Sequence, residues 1–222
     1  MAHILNIETA TKNCSVSLAY NGITISSREI AEEGYSHAER LHVFIEEVIN
    51  KASINISDLT AVAVSQGPGS YTGLRIGVSA AKGLCFSLGI PLIAIDTLQV
   101  LAQQASISDG VIIPMIDARR MEVYSAIFSP DFKKTREVRA EIITENSFHD
   151  IKEKIYFVGD CAAKCKPFLT QSNHIFLENI VFPSAKEMSK LSYIKHLEND
   201  TVDVAYFEPY YLKDFLITTS TK

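Results

Sequence analysis

The chain opens on short runs whose apolar residues recur every second position. Residues 2–8 form an apolar run that predicts a first strand. Over 14–20, Cys14, Val16, Leu18 and Tyr20 fall on one face and Ser15, Ser17 and Ala19 on the other, the period of a strand. Asn21-Gly22 follows at once. Both central positions of a type I′ turn need positive φ, which this pair tolerates, so the chain is predicted to double back. Residues 23–30 are the return strand, with Ile23 and Ile25 on one face.

The period then lengthens. Leu41, Phe44, Ile45, Val48, Ile49 and Ala52 lie at the spacings of an amphipathic helix. Ser36 with Glu39 three residues on makes a capping box at its start. Residues 60–65 read as a short buried strand, and the loop 66–72 leads into a helix over 73–88, stopped by Gly89. Another buried strand spans 91–95, and Asp96 or Thr97 caps a helix from 98 to about 104. The order β-β-β-α-β-α-β-α is the layout of an actin-like, ribonuclease H-like unit, with helices covering a mixed sheet.

A polar connector at 106–110 marks a boundary. Beyond it, strands are predicted over 111–115, 121–128 and 136–143, a short helix over 145–154, a strand over 155–158, a helix over 161–169 and a strand over 174–177. Ser184 with Glu187 is a second capping box, opening a helix to about 197. This is the first pattern again in weakened form. The expected architecture is therefore α/β: a two-domain actin-like ATPase (ribonuclease H-like, ASKHA) fold with mixed sheets flanked by helices. The domains are 1–105 and a degenerate copy, 106–222, whose last helix packs back on the first.

Composition narrows the function. The chain has 222 residues, enough for one to two domains at roughly 150 residues each. Hydrophobic residues make up 47%, which supports a sizeable core. Lys and Arg number 21 against 26 Asp and Glu, a net charge of −5. That balance argues against a chain that grips nucleic acid unaided, yet leaves room for a subunit of an RNA-acting assembly. The N-terminus lacks a basic region, and no window approaches the roughly 18 apolar residues of a membrane span. Cys14, Cys85, Cys161 and Cys165 without a signal segment do not suggest a disulfide framework. A cytoplasmic protein with free thiols is expected.

The segment Gly67-Pro68-Gly69-Ser70-Tyr71-Thr72-Gly73-Leu74-Arg75-Ile76-Gly77 carries the strongest local signal. Its glycines fix a strand-to-helix turn with exposed backbone N–H groups, which is either a structural turn or a contact for an anion or partner. It misses both phosphate-loop templates, because Leu74-Arg75 follows Gly73 and the sixth position from Gly67 is Thr72. Gly73, Gly77 and Ala81 recur at spacings of four, with Ala80 and Gly83 beside them. Such a stripe admits a second backbone, from the chain's own sheet or from another subunit.

His37 and His42 diverge by about 140° around a helix and do not form a zinc pair. Cys161-x3-Cys165 lacks a second ligand pair. Glu8, Thr9 and Thr11 follow the first strand, where a carboxylate meets a metal-bound nucleotide in this fold, but the loop has no glycine. Arg119 and Arg120 sit in a predicted hairpin turn, either solvated or facing an anionic group.

The segment 67–77, followed by Ala80-Ala81-Lys82-Gly83-Leu84 and Pro91-Leu92-Ile93-Ala94-Ile95, resembles the TsaB (YeaZ) family. The opening Ile7-Glu8-Thr9-Ala10-Thr11 with Cys14-Ser15-Val16, the segment 117–124 and Glu208-Pro209-Tyr210-Tyr211-Leu212-Lys213 match in place and order. The resemblance covers nearly the whole chain, strongly to about 125 and thinly between about 130 and 205.

It implies a part in the bacterial machinery that makes threonylcarbamoyladenosine (t6A) beside the tRNA anticodon. It implies a non-catalytic paralogue of the transferase TsaD, pairing with TsaD, with TsaE and with itself when alone. Such a chain meets tRNA only through the complex and binds no cofactor alone, the ATP and metal residing in partner subunits. The interface implied lies on the helices at about 36–52 and 73–88: His37, Leu41, Phe44, Ile45, Val48, Gly73, Ile76, Gly77, Ala80, Ala81 and Leu84. The catalytic relative carries a His-x-x-x-His metal pair just after the strand at 91–95. Here Asp96-Thr97-Leu98-Gln99-Val100-Leu101 has no histidine. Glu8 replaces a common Asp and Lys213 a common Arg. The alternatives are a free-standing ATP-dependent small-molecule kinase of the same fold and, disfavoured by its ligand spacing, a metallopeptidase.

Overall fold

A computed structural model of the chain describes residues 1–31 and 37–212. The strands β1 (His3–Glu8), β2 (Asn13–Tyr20) and β3 (Ile23–Ala31) form an antiparallel meander. Its first turn has Asn21 at φ 48° and Gly22 at φ 83°, the positive values this pair was expected to supply. Then come α1 (His37–Lys51), β4 (Ala61–Gly67), α2 (Tyr71–Leu88), β5 (Leu92–Asp96) and α3 (Thr97–Ala102). β4 adds parallel to β1, with Ile4 opposite Ala61, and β5 adds parallel to β4. The sheet order is β3-β2-β1-β4-β5.

The second half repeats this plan with β6 (Val111–Asp117), β7 (Glu122–Phe128), β8 (Lys134–Ile142), β9 (Ile155–Val158), α4 (Ala162–Cys165), β10 (His174–Phe176) and α5 (Ala185–Leu197). Its order, β10-β9-β6-β7-β8, is the first sheet's connectivity read from the other edge. The two halves thus share one topology, as the sequence periodicity predicts.

Two elements depart from expectation. The segment 145–154 is a series of turns, not a helix. Phe148 sits there at φ 64°, which an α-helix cannot accommodate, and its ring is buried 5.7 Å from that of Phe157. Burial of one aromatic side chain overrides the local helical pattern. The helix expected over 161–169 is a single turn, α4. Ser36, expected to cap α1, lies outside the described residues. No helix among the described residues is long and apolar enough to cross a membrane.

Helices α1 and α2 cover one face of the first sheet. Leu41, Phe44, Ile45 and Val48 of α1 and Val78, Ala81 and Cys85 of α2 join Leu5, Ile7, Val16 and Leu18 in one buried cluster. Helix α5 returns from the second half to pack on the first sheet. One side of that contact is apolar, with Ala185 and Met188 against Ile4, Ala61, Ala63, Ile93 and Ile95. The other side is polar. Ser17 donates to the Ala185 carbonyl at 2.7 Å, the Ala185 N–H donates to Ser15 Oγ at 3.0 Å, and Asn13 donates to the Pro183 carbonyl at 3.0 Å. Glu29 accepts from Ser184 Oγ at 2.6 Å and pairs with Lys186. The sheet therefore caps the N-terminus of α5, where a carboxylate also meets the positive end of the helix dipole.

Burial works to raise the pKa of Glu29, but the Lys186 ammonium and the Ser184 hydroxyl overcome it and hold the carboxyl below its usual value of 4.5. A depressed carboxyl contributes stability that is present above the unfolded pKa and is lost as pH falls through the folded one. Thermal stability should therefore decline as pH drops below about 4.5. Glu29→Gln should flatten part of that decline in melting curves recorded from pH 3 to 7, and an unchanged curve would contradict the arrangement.

Candidate functional site

The site is built around the loop that leaves β1. Ser70 starts α2, its hydroxyl accepting from the Gly73 N–H at 3.3 Å. The face of α2 that follows lacks side chains where the loop 8–11 lies. A Cβ on Gly69 would stand 2.3 Å from the Ala10 carbonyl, one on Gly73 2.1 Å from the Thr9 carbonyl, and one on Gly77 2.2 Å from Thr9 Oγ1. Hydrogen bonds complete the seat. The Ser70 N–H donates to the Ala10 carbonyl at 2.7 Å and Thr9 Oγ1 donates to the Gly73 carbonyl at 2.8 Å. His37 of α1 reaches the Thr11 carbonyl through Nε2 at 2.8 Å, so that nitrogen carries the hydrogen. Burial pushes the pKa of His37 down, partly countered by that carbonyl.

The glycine stripe is thus filled by the chain's own loop. Gly73, Gly77 and Ala81 of α2 are buried, as are His37, Leu41, Phe44, Ile45 and Val48 of α1. Glu8, Thr9 and Thr11 are likewise buried and engaged with backbone.

Glu8 is 0% exposed. Its Oε1 accepts from the Ala10 N–H at 2.6 Å, and its Oε2 has no hydrogen-bond partner among the described residues. Burial raises its pKa to about 7, against smaller opposing effects of the Ala10 N–H and the Ser65 hydroxyl. No group of three or more His, Cys, Asp or Glu able to hold a metal occurs among the described residues. Cys14, Cys85, Cys161 and Cys165 are free and buried, and burial raises every one of their thiol pKa values. Arg119 and Arg120 are exposed on the β6–β7 hairpin at φ 70° and 57°.

The outward faces of α1 and α2 enclose a groove of about 580 Å³ lined by Ala38, His42, Arg75, Ile76, Ala80 and Leu84, among others. Of the residues expected at an interface, Ile76, Ala80 and Leu84 are the ones that reach it. Phe86 is 85% exposed and Val43 47% exposed on the same two helices.

The C-terminal stretch 202–212 straps α2 from behind. Lys82 Nζ donates to the carbonyls of Ala205 and Phe207, both at 3.0 Å. The Tyr210 N–H donates to the Gln66 carbonyl at 2.7 Å, and the Tyr210 carbonyl would lie 2.8 Å from a Cβ on Gly67, so the loop 67–73 is held from both sides. Arg75 lies 3.9 Å from the Tyr71 ring centroid and donates to Tyr211 Oη at 3.3 Å. Lys213 falls outside the described residues.

Sequence reasoning missed Ala38, Ser79, Phe86 and the strap. The available signal was the presence of apolar residues off the core stripe of α2, at Ile76, Ala80, Leu84 and Phe86.

Two mixed sheets of one topology, each flanked by helices, define an actin-like (ASKHA) protein. Solved structures agree: YeaZ from Pseudomonas aeruginosa superposes with a TM-score of 0.84 at 24% identity, covering 96% of this chain and all of that one. The ethanolamine utilization protein EutJ from Carboxydothermus hydrogenoformans does so at 0.53 and 11% identity, covering 86% of this chain and 90% of that one.

The family described as "TsaD: tRNA N6-adenosine threonylcarbamoyltransferase" matches residues 27–214. The tRNA threonylcarbamoyladenosine biosynthesis protein TsaB of Haemophilus influenzae is 30% identical over 95% of this chain and 93% of its own length. That of Escherichia coli K12 is 29% identical over 95% and 94%. The chain belongs to the TsaB (YeaZ) branch of the TsaD family.

The seat of the loop fixes opposite signs for two substitutions in one helix. Gly77→Ala should destabilise the protein by about 1–3 kcal/mol, because the new methyl meets Thr9 Oγ1. Gly83→Ala should stabilise it by about 0.5–1 kcal/mol, because a Cβ there meets nothing within 4 Å. Urea denaturation of both variants checks the pair; equal effects would contradict the packing.

Proposed function

We propose that this chain is a non-catalytic subunit of the machinery that makes t6A in tRNA, with domains at 1–105 and 106–222. It pairs with the TsaD transferase through the outer faces of α1 and α2, helps to recruit TsaE, and self-associates when alone. It meets tRNA only within the complex and binds no cofactor by itself, and its place is the cytoplasm. Its relatives named TsaB are biosynthesis proteins of this modification, and the matching family bears the name of the transferase.

One observation carries the reading. The loop at the carboxyl end of β1 is seated on the chain's own glycines, while the neighbouring helices leave an apolar groove open outward. A free-standing kinase needs Glu8 and Thr9 open to its nucleotide, and both are buried. The net charge of −5 also fits a subunit that leaves phosphate contacts to others.

The test is reconstitution. t6A formation on an unmodified tRNA should require both this chain and TsaD, and the isolated chain should neither modify tRNA nor turn over ATP. Gly83→Arg, which places a charge in the groove where a Cβ meets nothing within 4 Å, should weaken association with TsaD at least about tenfold while leaving the melting temperature near that of the parent. Unaided turnover, or undiminished association of the variant, would overturn the reading.

A further inference from the structure

Glu8 raises a question that a docking role does not answer. A carboxyl at 0% exposure normally has a cation or a full set of donors. This one accepts from the Ala10 N–H at 2.6 Å and has the Ser65 hydroxyl beside it, with no cation among the described residues. Glu8 forms no ion pair among the described residues.

The titratable and charged groups of the surrounding elements do not supply a counter-charge. From β2, the Cys14 thiol stays neutral because burial and Glu8 itself push its pKa up to about 11. At the end of β5, the Lys134 ammonium is taken up by Asp96, lying 2.6 Å from its Oδ2. From α1, His37 is held toward its neutral form by burial. Opposite the loop stand Gly69, just before α2, and Gly73 and Gly77 on its inward face.

What Glu8 holds is a junction. The Ala10 N–H that it accepts belongs to the residue whose carbonyl takes the Ser70 N–H at the start of α2. Thr9, between them, sits over Gly73 and Gly77, and the Thr11 carbonyl takes His37 of α1. Four consecutive residues therefore tie β1 to both helices that wall the outer groove.

We propose that residues 8–11 form a proton-operated latch: with Glu8 protonated the loop stays seated between α1 and α2, and ionisation of Glu8 releases it. Loss of the proton to solvent leaves a buried carboxylate with no cation among the described residues, and the remedy open to the chain is to lift the loop until water reaches the oxygens. The latch is a property of this chain alone and stands whether or not a partner docks on the groove.

The sign follows from the raised carboxyl. The latch is at full strength below the ordinary value of 4.5 and weakens as pH rises through the seated value of about 7. Amide hydrogen exchange of the full chain, corrected for intrinsic rates, reads this at the Ala10 and Ser70 N–H groups. Their opening constants should rise by up to about tenfold per pH unit from 4.5 to about 7 and level off above it. Amides of β6 and β9 should show no such slope.

In Glu8→Gln, which keeps the acceptor for Ala10, the slope should vanish. A flat profile in the parent, or an unchanged slope in the variant, would overturn the proposal. Should the variant fail to fold, the ¹³C carboxyl shift of Glu8 in the parent protein decides. A midpoint near 7 that tracks the Ala10 and Ser70 amides supports the latch, and a midpoint near 4.5 overturns it.

Discussion

The first half of the molecule depends on the contact between the loop 8–11 and the bare face of α2. A helix normally keeps about 8–10 Å from its neighbours because side chains intervene. Here Gly69, Gly73 and Gly77 remove them, and the loop backbone comes close enough for Thr9 Oγ1 and the Ala10 carbonyl to bond directly to α2. Each helical glycine lowers helix propensity by about 1 kcal/mol relative to alanine, so the sequence has accepted a weaker helix in exchange for this approach. The strap at 202–212 holds the other partner in this contact, the segment leading into α2 and α2 itself, through Gln66, Gly67 and Lys82. The geometry that would open toward a ligand is therefore closed from within.

The two copies of the fold have diverged in what covers their sheets. The first has α1, α2 and the returning α5. The second has α3 on one face and, on the other, a single helical turn at α4 and turns where a counterpart of α1 would lie. The face under α4 is also buried by aromatic packing of Phe148, Phe157 and Phe176. Helix α5, built from the second half of the chain, belongs by packing to the first sheet, and it is joined there by directional hydrogen bonds as well as by apolar burial. Hydrogen bonds contribute modest net stability each but demand one register, so they fix where α5 sits more than how tightly.

Much of this was legible in the sequence, and the exceptions have physical reasons. Periodicity placed the ten strands and the long helices because alternation and the 3.6-residue stripe report directly on burial. It failed over 145–154, where a positive φ at Phe148 serves a long-range contact that no local pattern encodes. The glycine stripe was legible as a close approach, but its two possible occupants share one signature. Spacing cannot say whether the approaching backbone comes from the same chain. The buried state of Glu8 was likewise hidden, since a carboxylate after a strand looks alike whether it greets a ligand or is sealed in.

Gly83 separates the two uses of α2. Gly73 and Gly77 on its first turns are accounted for by Thr9, which a Cβ at either position would meet. Gly83 is exposed and meets nothing within 4 Å, so nothing in this chain compensates its lower helix propensity. It lies beside Ile76, Ala80 and Leu84 in the outer groove and next to the exposed Phe86. Small residues there let a second backbone come as near the outer face as the loop comes to the inner one. The same helix then serves twice, once to close a cleft and once to keep a groove open, and the second use supports the docking role proposed for this chain.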